Sequence, residues 1–438
     1  MTALRIGRGQ LRAGTIALAG YKHAAVPVLC AILGRGLRAR LLGVPRVEDT
    51  RFFRSFLTDS GAVVEGDEDW LIDARRIAPI PLSPELTRRV HGSLYLVPAL
   101  LGRFSAVRFP GAGGCKIGGG PAGERPVEHV LSVLRAFGAR FRAESSEIVG
   151  EVDGFRPCDI DVLDYSDDAR APNGPLVSGA TKTAILAASL CHSGTSRIAH
   201  PYPKTDVTDL LSFLDASGAC RVERDKEWVA ITPIHRPDCD AGAEGFALID
   251  DISELITFVA ASVLHRVPVV AKVRDHERVR RALAPEWDAL RRLGVTMSER
   301  EGELHILPPP RVRSLDVEAT SAGIYSDHQP FFALMLLRGD REATIRDRVW
   351  TGRYAYAEGL RQLGADVVEN GDELRVRPSQ LAAAPATIDA TDTRAAAALL
   401  LAALDSPGTT LRGAPMHLER GYDGLLTKLR GLGAAIEP

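Results

Sequence analysis

The segment from Pro110 to Pro126 combines a nucleophile with nearby positive charge. It reads PGAGGCKIGGGPAGERP and carries Cys115 together with Lys116 and Arg125. So many glycines do not suit the interior of a helix or strand, and we therefore predict a mobile loop. A thiol near lysine and arginine loses its proton more readily and can act as a nucleophile or an acid. The alternative is a surface loop with an incidental cysteine.

Lys22 lies in the segment GYKHAAVP, where an apolar helix is predicted to begin. The free N–H groups of a helix N-terminus and a lysine charge together can bind an anion. His23, the next residue, could cap the helix or carry a proton. The alternative for both positions is a solvated side chain with no role in binding.

Asp327 precedes a second apolar helix, in the segment IYSDHQPFF. It could cap that helix, which would contribute about 1 kcal/mol, or act as a general base. Asp392 and Arg394 occupy the equivalent place in ATDTRAAAALL, and Arg353 and Arg420 share another repeat position. Polar groups that recur at one corner of several units are expected to converge where the units meet.

The elements that position these residues form a repeat. A helix that ends in glycine and is followed by a strand recurs six times, at Gly61, Gly138, Gly218, Gly294, Gly364 and Gly433. The glycines are about 70 to 80 residues apart, which is a repeat period, and glycine there fits a left-handed helix end. A nearly all-apolar helix recurs in phase, from His23, Ser93, Thr181, Glu254, Gln329 and Thr393. Such a helix must be buried on all sides.

Six units of this kind exceed what one compact core holds at this length, so we predict three plus three. The stretch from Thr232 to Gly245, rich in Pro, Asp and Gly, is the best crossover between the halves. A ligand is then expected in the cleft between them. A solenoid of stacked repeats is disfavoured, because the period is long and each unit mixes helix and strand.

Composition excludes several classes of protein. The 438 residues have a net charge of −2 and are 45% hydrophobic, so no positive field indicates nucleic acid or a membrane surface. The N-terminus lacks a signal-peptide core, and the apolar run from Ala24 to Leu33 is too short to span a bilayer. We therefore expect a cytoplasmic protein. Its six cysteines are expected to be thiols: Cys30, Cys115, Cys158, Cys191, Cys220 and Cys239. The absence of a CxxC pair disfavours a zinc site or a dithiol redox motif.

Together these motifs resemble the enolpyruvyl transferase family, above all the bacterial UDP-N-acetylglucosamine enolpyruvyl transferase of peptidoglycan synthesis. The similarity covers essentially the whole chain. It includes the six repeats, the lysine of the first buried helix and the Gly-Gly-Cys loop followed by Arg-Pro-Val. It also includes Gly-Ala-Thr from Gly179, Asp-x-Gln from Asp327, Asp-x-Arg from Asp392 and Arg-Gly-Tyr from Arg420. The related shikimate-pathway enzyme lacks the cysteine loop.

The resemblance implies an inside-out α/β barrel, the enolpyruvyl transferase fold, with two lobes of three βαβαββ-type repeats each. It implies that the first residues pair with the C-terminal lobe. We therefore expect one lobe of residues 1–22 plus 243–438 and another of residues 23–242 that carries the Cys115 loop. The lobes are expected to close over the substrates.

The resemblance also implies an addition–elimination reaction of phosphoenolpyruvate, in which the vinyl carbon is protonated, an acceptor hydroxyl attacks and phosphate leaves. It implies catalytic roles for Cys115 as general acid and site of a covalent adduct, for Asp327 as proton acceptor, and for Lys22 and Arg420. Phosphoenolpyruvate is expected to contact Lys22, Arg125, Asp392, Arg394 and Arg420. A uridine nucleotide is expected to contact His23, Arg125, Pro126, Val127, Glu128, Ser178, Gly179, Asp327 and Arg353. No metal or cofactor is implied.

Three positions depart from the family pattern. His23 replaces an asparagine that touches the acceptor sugar, His91 replaces an anion-binding arginine, and Pro175 replaces a lysine that contacts the diphosphate. An acceptor without that sugar and second phosphate would explain these changes. Relatives from peptidyl-nucleoside antibiotic pathways place the enolpyruvyl group on the 3′-hydroxyl of UMP, and we predict UMP here.

Two alternatives to the UMP prediction remain open. The first is an ordinary UDP-N-acetylglucosamine 1-carboxyvinyltransferase with relaxed contacts. The second is an inactive paralogue that binds a nucleotide as a regulator. Retention of Cys115, Asp327, Asp392 and Arg420 disfavours the inactive paralogue, because drift usually erases such a set.

Overall fold

The computed structural model describes residues 3–113, 117, 126–145, 147–234, 240–381 and 384–438. These form two compact units. We call residues 3–19 with 249–438 the terminal unit, and residues 20–113 with 126–248 the central unit. Each unit contains three small sheets among the described residues, which matches the predicted division of six repeats into three plus three.

The terminal unit takes its first two strands from the start of the chain: β1 (Ala3–Ile6) and β2 (Gly14–Ala17). The central unit follows. Its helices are α1 (Lys22–Arg35), α2 (Glu48–Asp59), α3 (Pro84–Arg89), α4 (Leu96–Phe104), α5 (Glu128–Ala136), α6 (Leu176–Ser189) and α7 (Thr205–Ala216), with 3-10 helices at His91–Tyr95 and Val162–Tyr165. Its strands are β3 (Arg38–Leu42), β4 (Val63–Glu65), β5 (Trp70–Asp73), β6 (Ala106–Phe109), β7 (Arg140–Glu144), β8 (Glu147–Glu151), β9 (Ile160–Asp161), β10 (Ser196–Ala199), β11 (Cys220–Arg224), β12 (Trp228–Pro233) and β13 (Asp240–Ala247).

The rest of the terminal unit follows residue 248. Its helices are α8 (Ile252–His265), α9 (His276–Ala282), α10 (Ala284–Leu293), α11 (Gln329–Leu336), α12 (Tyr356–Gln362), α13 (Thr393–Ala403), α14 (Ala414–Gly421) and α15 (Leu425–Gly431). Its strands are β14 (Val269–Lys272), β15 (Thr296–Arg300), β16 (Glu303–Leu307), β17 (Val317–Ala319), β18 (Ala343–Asp347), β19 (Asp366–Asn370), β20 (Glu373–Arg377), β21 (Thr387–Asp389), β22 (Thr410–Arg412) and β23 (Ile436–Glu437).

The sheets share one plan. Their strand orders are β13-β3-β5-β4, β6-β8-β7 and β11-β12-β10-β9 in the central unit, and β15-β16-β14-β2, β17-β18-β20-β19 and β21-β22-β1-β23 in the terminal unit. Strand β1 pairs antiparallel with β22 and β23, and β2 pairs parallel with β14. The domain limits at residues 22 and 242 stay a prediction, and β13, which pairs with β3, runs across the second limit.

The apolar helices form the interior of each unit. In the central unit α1, α4 and α6 pack against one another, and in the terminal unit α8, α11 and α13 do the same. Nearly every residue of these helices is buried, as a helix without a polar face requires. Among the described residues, the helices are too short or too polar to cross a membrane.

The predicted glycine ends are confirmed. The six repeat glycines have φ between 67° and 100°, a left-handed conformation that glycine adopts without steric penalty. Two predicted helix starts are wrong by more than two residues: α6 begins at Leu176 rather than Thr181, and α4 begins at Leu96 rather than Ser93. Four of the described cysteines are free thiols: Cys30, Cys158, Cys191 and Cys220. Cys115 and Cys239 lie outside the described residues.

Candidate functional site

Asp327 joins two arginines at the start of the interior helices of the terminal unit. Its Oδ1 accepts a hydrogen bond from Nη1 of Arg353 at 2.7 Å, and its Oδ2 accepts one from Nε of Arg394 at 3.0 Å. The residue at the N-terminal boundary of α11 is His328, and its side chain makes no capping hydrogen bond. The cap interpretation of Asp327 is therefore wrong.

Asp392, in contrast, is a helix cap. Its Oδ1 accepts hydrogen bonds from the backbone N–H groups of Arg394 at 2.8 Å and Ala395 at 3.1 Å, which gives partners to two N–H groups of the first turn of α13. The same Oδ1 lies 3.9 Å from Nη2 of Arg353. Asp392 therefore fixes the backbone that presents Arg394 and adds negative charge beside Arg353.

The charges of this cluster are largely buried. The side chain of Asp327 keeps 25% of its surface exposed, whereas those of Arg353 and Arg394 keep 6% and 2%. Burial acts to lower the pKa of Arg353, but the carboxylates of Asp327, Asp392 and Asp347 outweigh it, so the pKa is raised. Both arginines are thus fixed cations, and the exposed part of the cluster is the Asp327 carboxylate.

The Arg-Gly-Tyr motif at the end of α14 packs against the start of α13. A Cβ atom on Gly421 would lie 2.0 Å from Cγ2 of Thr393, so only glycine fits there. The guanidinium of Arg394 lies 5.0 Å from the centre of the Tyr422 ring, within cation–π range. Arg420, the residue before Gly421 in α14, is buried. The structure thus brings Arg353, Arg394, Arg420, Asp327 and Asp392 to neighbouring helix ends in one unit.

Lys22 begins the first interior helix of the central unit and is paired. Its Nζ lies 3.1 Å from Oδ2 of Asp49, and both residues are buried. The alternative of a solvated lysine is therefore wrong. His23 is half-buried, and its ring centre lies 5.1 Å from that of Tyr21.

Ser178 and Gly179 are the third and fourth residues of α6, and Pro175 stands at the N-terminal boundary of the helix. A Cβ atom on Gly179 would lie 2.1 Å from Nε2 of His129, so the imidazole occupies the place of a side chain. Burial, and then the nearby charge of Lys182, lower the pKa of His129 to about 4. His129 is therefore neutral at physiological pH.

Sequence reasoning missed a second lysine–aspartate pair in the central unit. Nζ of Lys182 lies 2.6 Å from Oδ2 of Asp206 and 4.9 Å from the ring centre of Tyr95. The hydroxyl of Ser178 donates to the same aspartate oxygen at 3.4 Å. The pair therefore lies beside the residues expected to contact the nucleotide.

The two lysine–aspartate pairs of the central unit have equivalent aspartates, although Lys22 is the first residue of its helix and Lys182 the seventh. In each, a lysine of an interior helix meets the second residue of the following outer helix: Asp49 in α2 and Asp206 in α7. An alignment of the repeats on the glycine ends would have placed Asp49 and Asp206 in register. Lys22 and Lys182 are not in register in that alignment, so it indicates the two aspartates but not Lys182.

The remaining expected site residues lie around the cysteine loop. Cys115 and Arg125 fall outside the described residues. Pro126 is exposed and Val127 half-buried, and both lead into α5. Glu128 is exposed and accepts hydrogen bonds from side chains of its own helix. No group of metal-binding side chains occurs among the described residues.

This fold and these charge clusters define an α/β enzyme of two three-sheet units with buried cations at helix ends. The chain belongs to the family of EPSP synthase (3-phosphoshikimate 1-carboxyvinyltransferase), whose family model matches residues 8–429. Its members are enolpyruvyl transferases, and this chain is an enolpyruvyl transferase with the inside-out α/β fold that the sequence predicts.

Individual relatives extend over the whole chain. UDP-N-acetylglucosamine 1-carboxyvinyltransferase from Halothermothrix orenii is 28% identical over 97% of this chain and 96% of its own. The enzyme of that name from Anaeromyxobacter dehalogenans is 31% identical with the same coverage. The crystal structure of the enolpyruvyl transferase NikO from Streptomyces tendae is 33% identical, with a TM-score of 0.89 over 99% of this chain and 98% of its own. EPSP synthase from Acinetobacter baumannii, at 16% identity, a TM-score of 0.72 and coverage of 100% and 99%, shares the fold.

Proposed function

We propose that this enzyme transfers the enolpyruvyl group of phosphoenolpyruvate to the 3′-hydroxyl of UMP and releases phosphate. The observation that carries the acceptor proposal is the chemistry at Pro175, directly before α6. The resembling family supplies a cation for the second phosphate of its acceptor there, and proline has none. His23 and His91 change two further acceptor contacts in the same unit.

Buried cations at helix starts support binding of an anionic donor. Lys22 begins α1, and Arg394 is the second residue of α13. Helix N-termini attract anions, and guanidinium groups match carboxylate and phosphate geometry. We assign phosphoenolpyruvate to these two residues together with Arg420, Asp392 and Arg125.

Asp327 has the properties of the proton acceptor in this reaction. Its carboxylate is the exposed part of a cluster whose two arginines hold both oxygens in place. A general base must be fixed within hydrogen-bond distance of the hydroxyl that it deprotonates. We assign it the proton of the acceptor hydroxyl as that oxygen bonds to C2 of the donor.

The steps balance with Cys115 as the acid. Its proton goes to C3 of phosphoenolpyruvate while the acceptor oxygen bonds to C2, which gives a tetrahedral intermediate. The C2–O bond to phosphate then breaks, C3 returns a proton to the Cys115 thiolate and the vinyl group re-forms. UMP and phosphoenolpyruvate thus become enolpyruvyl-UMP and phosphate.

The test is phosphate release from phosphoenolpyruvate, with UMP and UDP-N-acetylglucosamine in separate reactions. We expect turnover with UMP, none with the sugar nucleotide and none with 3′-deoxy-UMP. Lys22→Ala should abolish turnover, whereas Lys272→Ala, at an exposed strand position, should not change it. Turnover with the sugar nucleotide alone would refute the acceptor proposal and leave enolpyruvyl transfer intact.

Two outcomes separate the remaining possibilities. If neither nucleotide supports turnover but one binds, the chain is a nucleotide-binding paralogue without activity. If UMP is used, the double variant His23→Asn/Pro175→Lys should shift the ratio of kcat/KM towards UDP-N-acetylglucosamine. An unchanged ratio would show that these two positions do not select the acceptor.

A further inference from the structure

Three buried side chains of the terminal unit form a hydrogen-bonded chain that the reaction does not use directly. The Nε2 of His328 lies 3.0 Å from Oγ of Ser253, and its Nδ1 lies 2.8 Å from Oε1 of Glu286. The three residues come from separate places: the start of α8, the first turn of α10 and the turn before α11. We call them the buried triad.

The buried triad cannot meet a substrate. Its order, a hydroxyl, an imidazole and a carboxylate, is that of a hydrolase active site. However, Ser253, His328 and Glu286 are each 0% exposed. A nucleophile without access to a substrate has no covalent chemistry to perform, so the triad acts through its neighbours.

The neighbour of the triad is the backbone of Asp327. Oε1 of Glu286 accepts the N–H of Tyr325 at 2.7 Å as well as the Nδ1–H of His328. One carboxylate oxygen thus holds the turn on both sides of Asp327. Ser253 then fixes the far nitrogen of the imidazole. The half-buried Asp327 is flanked by buried residues from 324 to 330, and its backbone has little freedom to shift.

Helix α8 also contacts Tyr422, the residue that packs against Arg394, the partner of Asp327. The hydroxyl of Thr257 donates to the carbonyl of Ser253 at 2.7 Å, so the Tyr422 hydroxyl, 2.8 Å away, donates to Thr257. The Tyr422 ring in turn lies against Arg394. The N-terminal half of α8 therefore supports both Asp327, through Ser253, and the guanidinium of Arg394, through Thr257 and Tyr422.

We infer that Ser253, His328 and Glu286 are positioning residues that fix the Asp327 carboxylate for proton transfer. This inference rests on the proposed role of Asp327. A small displacement of a general base lowers the rate of the chemical step far more than it lowers donor binding. Loss of the triad should therefore reduce kcat and leave KM for phosphoenolpyruvate nearly unchanged.

The experiment compares kcat, KM for phosphoenolpyruvate and Tm among matched variants. Ser253→Ala removes the bond to His328, and Ser262→Ala is its control: the same helix, also 0% exposed, with one hydrogen bond of 2.7 Å to Val267. Glu286→Gln keeps an oxygen acceptor, and Glu286→Leu removes it. We expect Ser253→Ala and Glu286→Leu to lower kcat about 10-fold to 100-fold, with Glu286→Gln close to wild type.

The outcomes distinguish this inference from the proposed function. If Ser253→Ala lowers kcat no more than Ser262→Ala at similar Tm, the triad is only part of the core and the inference is overturned. If Glu286→Leu fails to fold, Ser253→Ala decides alone. Asp327→Asn is measured in parallel: if it keeps wild-type kcat, the role assigned to Asp327 fails and the inference fails with it, while transfer to UMP by the wild type still stands. If neither nucleotide supports turnover, the proposed function itself fails.

Discussion

Asp327 and Arg394 are 67 positions apart in the chain, yet Oδ2 of the first accepts a hydrogen bond from Nε of the second at 3.0 Å. The repeat brings them together, since each lies at the start of an interior helix of the terminal unit. Arg353 holds the other carboxylate oxygen. The carboxylate therefore compensates two buried cations while part of it stays exposed.

Replacing Asp327 with Asn tests the role of this carboxylate. The amide keeps the shape of the side chain but cannot take a proton, and it leaves two buried arginines without their shared anion. We expect kcat for phosphate release to fall about 10²-fold to 10⁴-fold, with a smaller change in KM for phosphoenolpyruvate. If only Tm falls and kcat is kept, Asp327 has a purely structural role.

Much of the fold was predictable because its signals are local. A helix without a polar face has to be interior, and the six repeat glycines carry the left-handed end of a helix in their own φ angles. The start of α6 was expected at Thr181, but the helix begins at Leu176 and includes Gly179. Glycine is required at position 179 because the ring of His129 occupies the space of a side chain, and no local sequence pattern reveals this contact.

The candidate site was less predictable because its partners are distant in sequence. The motifs at Lys22, Asp327 and Arg394 indicated charged groups at helix starts, but not which charges would pair. Lys182 looked like one polar residue in an apolar helix, and its partner Asp206 is 24 positions away, beyond a strand. Such pairs follow from packing of the repeats, which single segments do not specify.

The Lys182–Asp206 pair gives a prediction about stability. Removing one member of a buried ion pair leaves a buried charge, so Lys182→Met should lower the free energy of unfolding by about 3 to 5 kcal/mol. The double variant Lys182→Met/Asp206→Leu should recover much of that loss, because no charge remains buried. Denaturant unfolding measures both free energies.

The exposed pair of Arg140 and Asp153 is the control, and Asp153→Asn should change the free energy of unfolding by less than about 1 kcal/mol. Equal losses in the single and double variants would contradict the account.

Gly179→Ala should be harmful although it lies in a helix. Alanine normally stabilises a helix by about 0.5 to 1 kcal/mol relative to glycine. Here the added Cβ would meet Nε2 and Cδ2 of His129 at 2.1 and 2.8 Å, so the imidazole must move. We expect lower Tm and a higher KM for the nucleotide. In a His129→Ala background the same substitution should become neutral or stabilising.

The matched control for Gly179→Ala is Gly431→Ala at the end of α15. A Cβ atom on Gly431 would meet nothing within 4 Å among the described residues. That substitution should therefore leave Tm unchanged or raise it slightly. A similar fall in Tm for both variants would mean that His129 is not the cause.

Glu254 gives a prediction about pH. It is buried in the first turn of α8, where Oε1 lies 2.6 Å from Nζ of Lys428 and Oε2 accepts the N–H of Ala19 at 3.1 Å. Burial raises the pKa of Glu254 from 4.5 to about 7, although Lys428 opposes the shift. Between about pH 4.5 and pH 7, Glu254 is therefore protonated in the folded protein, whereas in the unfolded chain it has already lost that proton.

That proton sets the sign of the pH dependence. As pH rises from about 5 to about 8, the wild type loses the stability that comes from protonated Glu254, while Glu254→Gln cannot titrate. The two proteins should have similar stability near pH 5, and the variant should become more stable by up to about 3 kcal/mol near pH 8. Denaturant unfolding at several pH values measures this difference.

The control is Glu277→Gln, at an exposed position of α9, whose stability relative to the wild type should not change with pH. A difference that stays constant with pH, or grows in favour of the wild type, would show that Lys428 outweighs burial and keeps Glu254 ionised throughout.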